Sequence, residues 1–176
     1  MKRMGAMVLS ALAATCFSTG VVAKDKPDFT GKWTQRIAEG ETTSVESGWG
    51  PAFTIVQCSK SIVVERSFFS RPDLQPALKF TYFLDGSESR NTVMMGRGIQ
   101  EQVSRANWEG DKLVITIVHT DPGADRGRGV TSEVRHTLSF KRGRRPAHPP
   151  FLVIETTRSA VMNGLSSTTR TEFIKG

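Results

Sequence analysis

The sequence has few of the residues from which metal sites, disulfides and nucleophilic active sites are built. Its 176 residues include two cysteines, three histidines and one tyrosine. Two cysteines exclude a disulfide-rich scaffold and a multi-cysteine zinc site. No phosphate-binding glycine loop and no Gly-x-Ser-x-Gly nucleophile motif occurs in the chain. We therefore expect no metal and no cofactor, and no motif identifies a catalytic residue.

Long apolar runs are confined to the N-terminus. A basic start at Lys2 and Arg3 precedes a stretch of small and apolar residues that ends at Ala23. This order, with small residues at the positions that signal peptidase reads, is typical of a secretory signal. Residues 1–23 are therefore predicted to be a signal peptide cleaved near Ala23, which makes the protein periplasmic or secreted. An uncleaved membrane anchor and lipidation at Cys16 are the alternatives.

Cleavage changes both the charge and the cysteine count. Removal of the signal takes away Lys2 and Arg3, so the formal net charge falls from +7 to +5. Cys16 leaves as well, and Cys58, now the single cysteine, has no partner for an internal disulfide. The remaining residues 24–176 are enough for one domain with a hydrophobic core.

Alternation of apolar and polar residues dominates this remaining chain, and helical periodicity is nearly absent. The pattern predicts ten strands, over 31–37, 52–57, 60–67, 78–84, 91–95, 98–108, 111–120, 129–140, 150–158 and 167–174. Short connections between them favour antiparallel neighbours in a meander. Because an open sheet of this size has two unpaired edges, we expect an all-β, antiparallel up-and-down barrel of about eight to ten strands. A β-sandwich is the alternative architecture.

Two short segments resemble a known group of barrels. Residues 29–33, Phe-Thr-Gly-Lys-Trp, resemble the Gly-x-Trp start of the calycins, the group of lipocalins, fatty-acid-binding proteins and avidins. Residues 106–115 are similar to a late hairpin of lipocalin-like exported bacterial proteins. The resemblance implies one lipocalin-like barrel over 24–176, with Trp33 closing its floor and Trp108 also structural. The lipocalin Thr-Asp-Tyr motif and avidin's inward tryptophans are not evident, so biotin binding is not implied.

Polar side chains fall on the apolar faces of several predicted strands. His136 alternates in phase with Leu138, and His119 alternates in phase with Ile117. Tyr82, the only tyrosine, lies on the apolar face of its strand. Because the apolar face of a barrel strand points to the interior, we expect these three polar side chains inside the barrel.

The register of one hairpin predicts where the interior has room. A two-residue turn at 109–110 sets Ala106 opposite Leu113 and Gln100 opposite His119. Small and amide side chains opposite large ones leave volume and hydrogen-bonding groups. The candidate ligand-binding residues are therefore Tyr82, Gln100, Gln102, Ser104, His119 and His136. They predict an exported protein that holds a small apolar or amphipathic molecule in a barrel cavity. Packing with internal hydrogen bonds is the alternative role for each.

Two alternatives to ligand binding stay open. The first is contact with an anionic lipid or polysaccharide of the envelope through the loop arginines Arg142, Arg144 and Arg145. Nucleic acid is not expected as a partner, because no aromatic residues interleave the basic ones and a whole strand separates this loop from the basic loop 126–128. The second is a cofactor-independent isomerase or cyclase with His119 or His136 as its base.

Overall fold

The computed structural model describes residues 26–37, 48–66, 78–95, 98–125, 128–142, 149–159 and 166–176. The predicted signal peptide and the loop residues Arg144 and Arg145 lie outside these ranges. Within the ranges, no helix has the length and hydrophobicity needed to cross a membrane.

Ten strands account for the regular structure, and the predicted strands are confirmed with small shifts at their ends. The strands are β1 (Gly31–Gln35), β2 (Ala52–Gln57), β3 (Ser61–Arg66), β4 (Leu78–Phe83), β5 (Glu88–Met95), β6 (Gly98–Glu109), β7 (Lys112–Asp125), β8 (Arg128–Lys141), β9 (Phe151–Arg158) and β10 (Ser167–Lys175). β7 continues beyond its predicted end because it pairs with β8 through an irregularity between Asp121 and Asp125.

The strands form one antiparallel sheet that is nearly closed into a barrel. Its order is β4-β3-β2-β1-β10-β9-β8-β7-β6-β5, so the first and last strands of the chain pair, and β4 and β5 are the two edges. These edges meet through side chains. Asn91 Oδ1 accepts a hydrogen bond of 2.7 Å from the Thr81 amide. Ser89 Oγ accepts one of 2.9 Å from the Phe83 amide. The predicted up-and-down antiparallel barrel is confirmed.

Successive connections of the meander lie at opposite ends of the barrel. One end of the barrel carries residues 26–30, the C-terminus and the β2–β3, β4–β5, β6–β7 and β8–β9 connections, and we call it the lower end. The upper end carries the other connections. β8 runs from the upper to the lower end, so its first residue, Arg128, and Arg142, which follows its last, lie at opposite ends of the molecule.

Aromatic side chains fill the lower end. Phe29 is fully buried, and its ring centroid lies 6.0 Å from that of Trp108 and 5.0 Å from that of Phe140. The carbonyl oxygen of Phe29 accepts a 2.9 Å hydrogen bond from Trp33 Nε1. These contacts with Phe29 place both tryptophans, the buried Trp33 and the half-buried Trp108, in this lower layer.

The β6–β7 hairpin differs from its expected register. Its loop residues are Gly110 and Asp111, one position later than expected. Gly110 has a φ of 63°, a left-handed conformation that glycine adopts without steric cost, so the turn begins there. Ala106 therefore pairs with Ile115 and not with Leu113. Because this shift is two residues and side chains alternate with a period of two, each residue keeps its predicted face.

Candidate functional site

Nine polar or charged residues are buried in the described part of the chain. They are Gln35, Arg66, Ser89, Asn91, Gln102, Ser104, His136, Thr156 and Thr171. Three of them, on β5 and β6, belong to the seam between β4 and β5. The candidate site consists of the buried polar residues nearest the upper end, together with their neighbours. These residues are Arg66, Gln102, His136 and Thr156.

His136 lies on β8 opposite Thr156 of β9. Its Nδ1 atom is 2.9 Å from Thr156 Oγ1, and its ring packs edge-on against Trp49 with centroids 5.4 Å apart. Burial lowers the pKa of His136 to about 3, and the positive charges of Arg66 and Arg158 act in the same direction. The imidazole is therefore neutral near neutral pH and is a weak base there.

His119 and Gln102 lie nearer the upper end than His136. His119 pairs with Ser132, four residues along β8 from His136. The pairs of β6 and β7 run from Glu109–Lys112 to Val103–Val118, and continued by one residue this register sets Gln102, and not Gln100 as expected, opposite His119. The side chain of Gln100 lies outside the described part of the structure. His119 is half-buried, and burial lowers its pKa.

The Gln102 side chain contains a buried oxygen that has no hydrogen-bond partner among the described residues. The residue is 5% exposed and pairs with Asn91 on β5. Within the described ranges, its Oε1 atom accepts no hydrogen bond, and the same holds for Gln35 Oε1 and Thr169 Oγ1. An unpaired buried acceptor costs roughly 1–3 kcal/mol, so native proteins keep few of them. The Gln102 Oε1 atom can therefore accept a hydrogen bond from a donor that is not among the described residues.

Tyr82 and Ser104, which were also predicted to contact a ligand, lie in packed surroundings. The Tyr82 ring is parallel to that of Phe80, with centroids 6.5 Å apart, and burial raises the pKa of its phenol. Ser104 Oγ donates a hydrogen bond of 3.3 Å to the carbonyl oxygen of Ser89. The structure thus brings Gln102, His119 and His136 to the same half of the interior. Ser104 lies at the seam, and Tyr82, packed on Phe80, is within electrostatic range of Arg66.

Arg66 lies inside the barrel and was not among the predicted site residues. It is 5% exposed, and its guanidinium carbon lies 3.9 Å from the ring centroid of Phe80 and 5.4 Å from that of Trp49. Its Nη1 atom donates a hydrogen bond to the carbonyl oxygen of Gly48. Burial lowers its pKa. Its alternation with Val64 in the sequence was a usable signal, because it places the arginine on the inward face of β3.

Trp49 enters the interior from the connection between β1 and β2. It is 1% exposed, and its ring packs at a steep angle against Phe53, with centroids 5.0 Å apart. Gly48 and Gly50 flank it with φ values of 72° and 75°. Such left-handed conformations suit glycine and allow the short segment to turn the indole inward. No sequence pattern indicated this, since the segment has no alternation.

Arg158 is the second arginine that the sequence prediction missed. It follows Ile154 and Thr156 on the inward face of β9 and is half-buried. Its charge contributes to the low pKa of His136. An ideal Cβ placed on Gly48 would lie 3.5 Å from Arg158 Nη2, so this side chain reaches the same segment as Arg66.

Every charged side chain that the described residues place on the inward face is basic. Arg66 and Arg158 lie in the upper half, and at the lower end Lys175 Nζ lies 5.8 Å from the Trp33 ring centroid. Among the side chains described, carboxylates lie on outward faces, in turns or, for Asp28, at an exposed position before β1, and several pair with bases, such as Glu109 with Arg135 at 2.7 Å. The charged side chains that the structure describes in the upper interior are therefore all positive.

Comparison with known proteins adds no relative to this picture. The chain matches no family model, no curated protein and no solved structure. The likeness to the calycins therefore consists of the two short segments and of the architecture, a nearly closed antiparallel barrel of ten strands.

Proposed function

We propose that the protein is an exported, lipocalin-like barrel that holds a small apolar or amphipathic molecule in the upper half of its interior. The observation that carries this proposal is the buried Gln102 amide oxygen, which has no donor among the described residues. A bound molecule with a hydroxyl or amide group would supply that donor and remove a cost of roughly 1–3 kcal/mol.

The packing of the interior supports the upper half as the place of binding. Rings such as those of Phe29 and Trp33 occupy the lower half. In the upper half, the rings of Trp49 and Phe80 lie beside Arg66, whereas the inward faces next to Gln102 carry aliphatic side chains, Val93 on β5 and Ile117 on β7. A mostly apolar wall with a few polar groups is the usual composition of a small-molecule site.

The export and lipocalin-like parts of the proposal have separate supports. Export rests on the basic, apolar and small-residue order of residues 1–23. The lipocalin-like part rests on the Gly31-x-Trp33 opening and on a meander barrel with residues 26–30 packed at one end. Fold by itself does not identify a ligand, so the interior side chains carry the functional argument.

Native mass spectrometry of the exported protein tests the proposal. We expect a population heavier than the polypeptide by the mass of one small molecule, which organic extraction removes. The emptied protein should then bind Nile red, a neutral apolar probe, and the extracted molecule should displace it. A protein that carries no small molecule and binds no Nile red would contradict the proposal.

Gln102→Leu tests the residue that carries the argument. We expect it to weaken binding of the extracted molecule about tenfold, because one hydrogen bond is lost. It should stabilise the empty barrel by about 1 kcal/mol, because the unpaired buried oxygen is removed. Thr92→Leu, on the outward face of the neighbouring strand β5, is the matched control and should leave binding unchanged. Unchanged binding in Gln102→Leu would place the ligand elsewhere.

A further inference from the structure

We infer that the molecule held by this barrel is an acidic amphiphile, and that Arg66 and Arg158 bind its anionic group. Its apolar part would lie against the aliphatic side chains of the upper half. This inference rests on the proposed function and adds the chemical class of the ligand.

The sign of the charges inside the barrel is the first support. Arg66 comes from β3 and Arg158 from β9, yet both lie within electrostatic range of His136. The described residues place no carboxylate on the inward faces around them. Like charges repel strongly where water is partly excluded, and an anion bound beside both would reverse that repulsion.

The convergence of the two arginines is the second support. Arg66 Nη1 donates to the carbonyl oxygen of Gly48. Arg158 Nη2 would lie 3.5 Å from a Cβ atom on the same glycine. Two guanidinium groups from strands far apart in the sheet order therefore approach one point of the interior, beside Trp49.

The position of the Arg66 guanidinium beside the Phe80 ring is the third support. Its carbon lies 3.9 Å from the Phe80 ring centroid, so an aromatic ring covers one side of the group. The N–H donors of a guanidinium point outward in its plane, in a fork that matches the oxygens of a carboxylate or a phosphate. A charged oxygen is a stronger acceptor than the neutral Gly48 carbonyl, so an anionic group would compete for this donor.

Three probes of equal chain length test the inference. The emptied protein is titrated with dodecanoate, dodecyl phosphate and dodecan-1-ol, and binding is followed by calorimetry and by tryptophan fluorescence. We expect at least one acid to bind about tenfold or more tightly than the alcohol, since only the acids can form charge-assisted hydrogen bonds. The acid that binds more tightly distinguishes a carboxylic acid from a phosphate ester as the natural headgroup.

Two variants and one control assign the preference to the arginines. Arg66→Met and Arg158→Gln should each reduce the preference for the acid about tenfold. Arg170→Gln is the control, because Arg170 lies on the outward face of β10, 3.5 Å from Glu155 Oε1, and should keep the preference. Circular dichroism identifies the folded variants. If Arg66→Met does not fold, Arg158→Gln tests the assignment, because Arg158 is only half-buried.

The outcomes separate this inference from the proposed function. Equal affinity for all three probes overturns the inference and leaves a neutral ligand in the barrel. A preference for the acids that survives in the folded arginine variants overturns the assignment to Arg66 and Arg158. Absence of binding by all three probes overturns the inference. If Nile red does not bind either, the proposed function is contradicted as well.

Discussion

At the scale of single residues, His136 couples the interior to pH. Burial and then the nearby arginines hold its pKa at about 3, against an ordinary value of 6.5. As the pH falls, the unfolded chain takes up a proton at this residue before the folded chain does. The contribution of His136 to the free energy of unfolding therefore has its full value above about pH 6.5 and is lost as the pH falls from about 6.5 to 3.

The free energy of unfolding should accordingly fall on mild acidification, with a slope approaching about 1.4 kcal/mol per pH unit for His136 alone. Urea unfolding between about pH 5 and pH 7 measures this slope above the range in which carboxylates titrate. His136→Gln should remove most of it. His119→Gln should remove less, because His119 is only half-buried. An unchanged slope in His136→Gln would show that another group controls the acid response.

Arg66 and Arg158 show, at the same scale, which sequence signals were usable. Both continue an alternation of inward residues along β3 and β9, so their faces follow from the sequence alone. Their approach to a common point does not, because it depends on how the two strands are placed around the barrel. Trp49 had no signal at all, since its inward position depends on two flanking glycines in the left-handed region.

At the scale of elements, the seam between β4 and β5 is held by side chains. Asn91 makes two hydrogen bonds to the backbone of Thr81, one accepted from the amide at 2.7 Å and one donated to the carbonyl oxygen at 3.0 Å. Ser89 accepts a third from Phe83. These bonds satisfy backbone groups that would otherwise form an open sheet edge.

Asn91→Ala should destabilise the barrel by about 2 kcal/mol, because it removes both bonds to Thr81 and leaves part-buried backbone groups unpaired. Urea unfolding measures the loss, and hydrogen exchange of the Thr81 amide should become faster. Thr92→Ala, at the next, exposed position, is the control and should stay within about 0.5 kcal/mol of the parent. Equal stability of the two variants would mean that the seam does not depend on Asn91.

The β6–β7 hairpin shows the limit of sequence-based register. The faces of its residues were predicted correctly, but the pairing was two residues off, because the turn begins at Gly110. Continued by one residue beyond the Val103–Val118 pair, the observed register places Gln102, and not Gln100, opposite His119. Alternation determines which side a residue faces, whereas the conformation of the loop determines its partner.

At the scale of the whole molecule, the charge is distributed over both ends and the outer wall. Arg128 and Arg142 are separated by the length of β8, so they do not form one basic patch. On the outer wall, Lys141 and Arg36 both pair with Glu172, at 2.8 and 2.9 Å. Such exposed pairs contribute little to stability, but they leave a mixed surface.

The proposed export gives a prediction for the whole chain. The exported protein should begin at Lys24, because signal peptidase cleaves after a small residue with another small residue two positions earlier. Intact mass and N-terminal sequencing measure this. Ala23→Asp should block cleavage, whereas Val22→Asp, at the position between the two that are read, should still be cleaved. Equal processing of both variants would contradict cleavage after Ala23.

The sequence by itself determined the ten strands, their inward and outward faces and the antiparallel order, because these depend on alternation and on short connections that are local in the chain. Only the tertiary structure decided the contents of the upper interior. There, Arg66, Trp49, His136 and Arg158 meet from four separate parts of the chain. Their meeting depends on the closure of the barrel and on the tilt of its strands, and no local pattern encodes either one.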